Sequence, residues 1–385
     1  MVHRGQAVPP VASGNPVDDR VRCTLLVIVL MGIFALGGTS YGMWEETLGF
    51  FALLVPLALA LNYDRLVGAS IIFLGAGTGV IASTVNPFAT GVASDAAGIG
   101  ITDGIGLRIA MGLVLVPSAM AYVLWYGSRV RRDPSKSLVP AESSGAPAGQ
   151  MEDVPRLTGN QQIVLVVFFV AFLTMIYGFI PWNDIWDTMF DASFPFPTFG
   201  SFYFPEASIL FLVAAVIVGI VARLGEQGTV ETILAGAADF LPAALVVVVA
   251  RAVTVVMKNT YITDTILHWM EDAVSGVPTG RFAVLTFIVN IPIAFLVPSS
   301  SGHAALVMPI LAPLADFADV PRALAVTGYQ SASGFVNLIT PTSAVVMGGL
   351  TLAKVGYDRY VRFVLPFLVY VFLVSCAFMA IGAAI

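Results

Sequence analysis

The sequence predicts an all-α polytopic membrane protein made of inverted repeats, each with a re-entrant hairpin and a broken helix. Three observations carry this. The 385 residues are 58% hydrophobic and 11% charged, with a mean hydropathy of +0.90, far more apolar than a soluble core requires. The apolar runs are long and continuous, and each bilayer crossing takes ~20 such residues. They do not alternate with period two, so helices rather than a closed barrel satisfy the backbone in lipid. Finally, one order of interrupted segments occurs twice along the chain.

Residues 1–22 are a polar tail with no apolar signal core, so no cleaved leader is expected. Residues 23–61 are apolar but interrupted by Gly37-Gly38-Thr39-Ser40-Tyr41-Gly42-Met43-Trp44-Glu45-Glu46. Each flank is short for a crossing, which predicts a hairpin whose tip lies in protein or against a wet cavity. Residues 66–98 break at Ala82-Ser83-Thr84-Val85-Asn86-Pro87, where proline removes a donor and disfavours helix before it. Residues 107–127 are an uninterrupted span, completing a first repeat over 23–127. Residues 128–159, basic and then rich in Pro, Ser, Gly and Ala, read as a mobile cytoplasmic linker.

The second repeat is expected over 160–385. Spans at 160–181 and 206–223 flank an aromatic, acidic loop suited to the outer interface. Residues 226–238 predict a short interfacial helix, and 239–257 another membrane segment. The opening pattern then returns: a hairpin at 281–318 with the tip Pro298-Ser299-Ser300-Ser301-Gly302-His303, a helix at 322–352 broken at Asn337-Leu338-Ile339-Thr340-Pro341-Thr342-Ser343, and a span at 360–384. Sliding one repeat onto the other pairs Pro56 with Pro313 and Arg65 with Arg322. Paired, interrupted membrane segments point to the binding site of a secondary transporter.

Charge orients the chain. With the first hairpin entered from the cytoplasm, Arg4, Arg20, Arg22, Arg65, Arg129, Arg131, Arg132, Lys136, Arg156, Arg223, Lys354, Arg359 and Arg362 fall inside, against Arg108, Arg281 and Arg322 outside. That bias obeys the positive-inside rule and makes the repeats inverted. The N-terminus is then inside and the C-terminus outside, in a cytoplasmic (inner) membrane. The second repeat carries residues 160–280 ahead of its hairpin and the first only its tail, so the scaffold part of the first repeat is expected to be missing and the chain N-terminally short.

Composition excludes other classes. No basic stripe suits nucleic acid, and net charge is −6. Cys23 and Cys376 make no disulfide framework, and His3, His268 and His303 are too dispersed for a zinc site. Gly75-Ala76-Gly77-Thr78-Gly79 lacks the βαβ context of a nucleotide loop and suits close helix packing instead.

Four polar patches are candidates for one midplane site: Thr39 and Ser40 with Glu45 and Glu46; Ser83, Thr84 and Asn86; Ser299, Ser300, Ser301 and His303; and Asn337, Thr340, Thr342 and Ser343. Broken helices expose donors at one half-helix and acceptors at the other, which hold a carboxylate and a cation respectively. For one patch alone, hydroxyls bonding their own helix is the plainer explanation. Four patches at matching positions favour a site. Intramembrane carboxylates are costly, so Glu45 and Glu46 suit a coupling proton or a substrate amine, unless they sit in interfacial water. Arg251, deep in 239–257, suits a substrate carboxylate or a hairpin glutamate; a structural ion pair explains it equally well.

The runs FALGGTSYGMWEETLGFFALLVPLALALNYD, GAGTGVIASTVNPFATGVASDAAGI and VPSSSGHAALVMPILAPLAD with GYQSASGFVNLITPTSAVVMGGL resemble the YfcC-type group of the C4-dicarboxylate anaerobic carrier family. The resemblance covers roughly 22–385, and STVNPF and NLITPTS are its most specific patches. It implies a secondary active transporter moving a small carboxylate-bearing metabolite, a C4-dicarboxylate or an amino acid, across the cytoplasmic membrane by ion coupling or exchange. Members are variously assigned dicarboxylates, basic amino acids and fatty acids. Related divalent-anion/sodium symporters carry Ser-Asn-Thr at their hairpin tips. Here the tips read Gly-Thr-Ser and Ser-Ser-Ser-Gly-His, which leaves cargo and ion open. The partners expected are a small-molecule substrate, the lipid bilayer and a second copy in a homodimer. No cofactor is expected beyond a coupling Na+ or H+. The alternatives are a truncated remnant that does not transport and, with Ser301 and His303 as nucleophile and base, an intramembrane hydrolase.

Overall fold

A computed structural model describes residues 16–139, 158–180, 182–190, 192–199, 204–262 and 279–385, with isolated positions between 263 and 278. Within 239–258 several side chains lie outside the described residues. The first repeat consists of α1 (Pro16–Ser40), α2 (Leu48–Ala60), α3 (Arg65–Ile81), a wide helical turn at Pro87–Gly91 leading into α4 (Val92–Ala97), and α5 (Ile105–Arg132). Then come α6 (Gly159–Phe179), α7 (Trp182–Phe190), α8 (Phe204–Val221) and α9 (Gly225–Asn259). The second repeat is α10 (Thr279–Leu296), α11 (Ser300–Phe317), α12 (Arg322–Asn337), α13 (Ala344–Ala353) and α14 (Tyr357–Gly382). No strand occurs among the described residues.

Each interruption has a local cause. Asp64 caps α3 by accepting from the Val67 N–H at 2.9 Å. α3 ends at Ile81, and Asn86-Pro87 starts the next helical turn, with proline in the first position where its missing donor costs least. Ser299 caps α11 and Ser343 caps α13, each accepting from a backbone N–H three residues on. The chain reversal between α1 and α2 uses Gly42 at φ +81°, a left-handed conformation open to glycine.

α3 and α12 form the centre of the molecule. Every residue from Leu66 to Ile81 is buried, and nearly all of Leu324–Asn337, as a helix enclosed on all sides must be. α1 packs on α3 and α10 on α12; α3 and α12 pack on each other, as do α5 and α14. The short half-helices are exchanged: α4 of the first repeat lies on α11 of the second, and α13 of the second lies on α2 of the first. Every such contact has a counterpart with the repeats swapped, the signature of a pseudo-twofold axis.

Three elements differ from expectation. α1 runs for 25 residues, through Gly37-Gly38-Thr39-Ser40, so the polar interruption narrows to Tyr41–Trp44. The reason is packing: a Cβ on Gly38 would collide with the Ala76 carbonyl, and one on Gly79 with the Ala35 carbonyl, so these glycines bring α1 against α3. Residues 226–238 and 239–257 are one continuous helix, α9, which runs through Gly236 and Pro242 without a break. The aromatic loop contains α7, where Trp182 stacks on Phe194 and donates to the Tyr177 carbonyl. Among the described residues, Val21–Ser40, Ile105–Arg132, Gly159–Gly178 and Tyr357–Gly382 are long and apolar enough to cross a membrane. The protein is a multi-pass membrane protein.

Candidate functional site

Where α3 ends, four successive carbonyls lose their helical donors, and side chains from three helices replace them. The Ile81 oxygen accepts from Ser331 Oγ at 3.2 Å, Ala82 from Thr39 Oγ1 at 2.8 Å, Ser83 from Gln330 Nε2 at 3.0 Å and Thr84 from Arg108 Nη2 at 3.3 Å. Beyond the break, Asn86 caps the turn that leads into α4: its Oδ1 accepts from the Phe88 and Ala89 N–H groups, and its Nδ2 donates to Ser83 Oγ at 3.0 Å. The second break repeats the plan with other residues. Ser343 caps α13, Tyr360 OH donates to the Leu338 carbonyl at 2.8 Å and Tyr357 OH to the Ile339 carbonyl at 2.6 Å. A further correspondence ties each hairpin to its own break. Thr84 Oγ1 donates to the Thr39 carbonyl at 3.0 Å, and Thr342 Oγ1 to the Phe295 carbonyl at 3.2 Å.

The two tips and the two breaks meet around a cavity of about 230 Å³. From the first tip it takes Gly42, Trp44 and Glu45; from the first break, Asn86 with Phe88; from the second tip, Ser299, Ser300 and Ser301; from the second break, Asn337, Thr342 and Ser343. Trp44 Nε1 donates to Ser343 Oγ at 3.4 Å, which joins the first tip to the second break. Gly42 is required here, since any Cβ would strike the Asn86 side chain. Ser300 Oγ lies 3.2 Å from Ser333 Oγ, and Ser299 Oγ 3.5 Å from Ser301 Oγ. Glu45 is the one ionisable side chain lining the cavity among the described residues; no lysine or arginine faces it.

The remaining candidates stand outside this lining. Thr39 and Thr84 bond each other and the backbone behind the break. Ser40 donates to its own helix at the Leu36 carbonyl. Glu46 turns back to accept from the Trp44 N–H at 3.2 Å. Ser83 is buried and holds Asn86 in place; Thr340 likewise holds Thr342 at 2.7 Å. His303 is wholly buried, with Nε2 2.9 Å from Asn290 Oδ1 and its ring edge-on to Tyr329. Ser301 and His303 therefore point to different partners and form no nucleophile–base pair. Arg251 lies on α9, and its side chain is outside the described residues.

Sequence reasoning missed three residues. Gln330 is completely buried and spans the repeats, donating to Ser83 and accepting from Thr90 Oγ1; the signal was an amide in the middle of an otherwise small and apolar helix. Arg108 is equally buried, but its place at a helix start reads as the outer face. Arg322 makes another cross-repeat contact: it forks onto Asp316 and donates to the Ala97 carbonyl at 2.6 Å. That guanidinium holds the Asp316 carboxyl below its ordinary range.

The chain is similar to known proteins over most of its length. An uncharacterized protein of Haemophilus influenzae is 35% identical over 347 residues, covering 89% of this chain and 64% of that protein. The putative basic amino acid antiporter YfcC of Escherichia coli is 29% identical over 352 residues, covering 88% of this chain and 66% of that protein. The chain thus spans just under two thirds of the length of these relatives. Among solved structures, the YdaH transporter of Alcanivorax borkumensis aligns with a TM-score of 0.47 at 13% identity, over 94% of this chain and 80% of that one. MtrF of Neisseria gonorrhoeae aligns with a TM-score of 0.45 at 17% identity, over 93% and 74%. The family model described as "C4-dicarboxylate anaerobic carrier" matches residues 19–384, and the chain belongs to that family.

Proposed function

We propose that this chain is a secondary active transporter whose solute site is the cavity at the crossing of the two breaks. One observation carries the reading: both hairpin tips and both breaks contribute polar groups to a single cavity. Asn86, Ser299 and Ser343 each cap a helix start there, and such starts favour negative charge. A carboxylate is served by these ends without a cationic side chain. Glu45 suits a positively charged group on the same solute. The pair of features favours an amino acid over a C4-dicarboxylate, in line with the name of the Escherichia coli relative. The volume, below the ~300–1,000 Å³ of drug-sized pockets, suits a small metabolite. The inverted orientation, with the N-terminus inside and the C-terminus outside, belongs to the same proposal, as do coupling to Na+ or H+ and a homodimer.

The test is uptake into proteoliposomes of labelled lysine, arginine, glutamate and succinate under a sodium or proton gradient, or against internal substrate. Accumulation of an amino acid with an ammonium side chain, reduced at least tenfold by Glu45→Gln, is the expected result. Accumulation of succinate alone removes the role of Glu45. No uptake of any of the four removes the transport reading for this chain. A second reading, that the chain does not transport unaided, has one observation behind it: the relatives it matches are longer.

A further inference from the structure

The carboxyl end of a half-helix inside a membrane presents roughly half a negative elementary charge on unbonded carbonyls. Neutral donors meet it at the second break, where Tyr357 and Tyr360 donate. At the first break the outermost carbonyl, Thr84, is met by Arg108 Nη2, which also donates to the Ile101 carbonyl at 2.7 Å. Arg108 is wholly buried, and its Nε and Nη1 have no hydrogen-bond partner. No carboxylate lies within ion-pair distance of it among the described residues; the nearby Asp103 accepts from the Gly100 N–H at 2.9 Å instead. A guanidinium does not lose its proton in a protein. An unpaired positive charge therefore stands against the open end of α3.

We propose that Arg108 is a tethered cation that fills the first break, so that this break takes no exchangeable metal ion. Broken helices in transporters offer such carbonyls to a dissolved cation. Here the four oxygens from Ile81 to Thr84 are already occupied by protein donors, and an arriving ion would meet like charge at close range. Any ion exchange by this protein then lies elsewhere. The proposal does not depend on which solute is carried.

The experiment is thermal melting of the purified chain in detergent, in choline, sodium or methylguanidinium chloride at constant ionic strength. Arg108→Ala should melt below wild type in choline. It should then recover in sodium or methylguanidinium by about 2–4 °C more than wild type does, as a ligand of the folded state would make it. Arg108→Lys, which keeps a charge on a tether, should show the wild-type salt response. If Arg108→Ala does not fold, Arg108→Gln takes its place beside Arg108→Lys in the same comparison. A midpoint lowered equally in all three salts marks a merely structural arginine and overturns the proposal. So does a sodium response present in wild type and lost on removing Arg108, since the ion would then bind alongside it.

Discussion

The three helix caps that face the cavity and the hydroxyls behind it separate by what their removal should do. Asn86→Ala removes the cap of the turn into α4 together with a cavity group. Loss of such a cap costs about 0.5–2 kcal/mol, and uptake should fall at least tenfold; melting and proteoliposome flux measure the two. Thr39→Val should behave differently. It strips a donor from the Ala82 carbonyl at a cost of about 1–3 kcal/mol, yet leaves apparent affinity for the solute unchanged, because Thr39 does not line the cavity. A matching loss of affinity would show that the site extends behind the break. The contrast also shows what could be read from sequence. Residue type and position located the four polar patches, and the cavity takes members of each. Which hydroxyl faces inward depends on helix rotation, which spacing of isolated Ser and Thr does not encode. Gln330 bonds across the repeats and Arg108 within the first one, and no local pattern names the partners of either.

At the scale of elements, the contact of α1 with α3 depends on the absence of side chains. Gly38→Ala or Gly79→Ala would push a methyl into a facing carbonyl. Each should destabilise the protein by about 1–3 kcal/mol, the usual range for overpacking. Gly49→Ala is the control: it lies in the exposed part of α2 with open space around it, and should cost nothing. Equal effects at all three positions would show that helix propensity, not packing, decides. The same close approach explains why the first hairpin was only partly legible. Gly37-Gly38-Thr39-Ser40 has the composition of a turn, and read alone it predicts one. Tertiary packing keeps it helical, and the reversal falls to Gly42. The second hairpin was read more closely, because Pro298 fixes the end of its first arm and Ser299 the start of its second.

The topology of the whole molecule is open to chemical mapping. The proposed orientation puts the linker start, where Lys136 pairs with Asp133 at 3.1 Å, on the cytoplasmic face, and the Asp316–Arg322 fork on the outer one. In a Cys23→Ala, Cys376→Ala background, an impermeant maleimide should label Asp316→Cys in intact cells and Lys136→Cys only after permeabilisation. Labelling of both from one side would end the proposal of inverted repeats. The order of elements within each repeat was readable because proline, glycine and polar runs punctuate the sequence. Their mutual embrace was not, since it arises from contacts far apart in the chain. That embrace has a consequence for engineering. The first five-helix unit alone would leave one flank of its hairpin bare and its short half-helix α4 without its seat on α11. It becomes complete only when the second supplies both. Chains severed within 140–157 should thus remain assembled when both pieces are made together, and neither piece should persist when made alone.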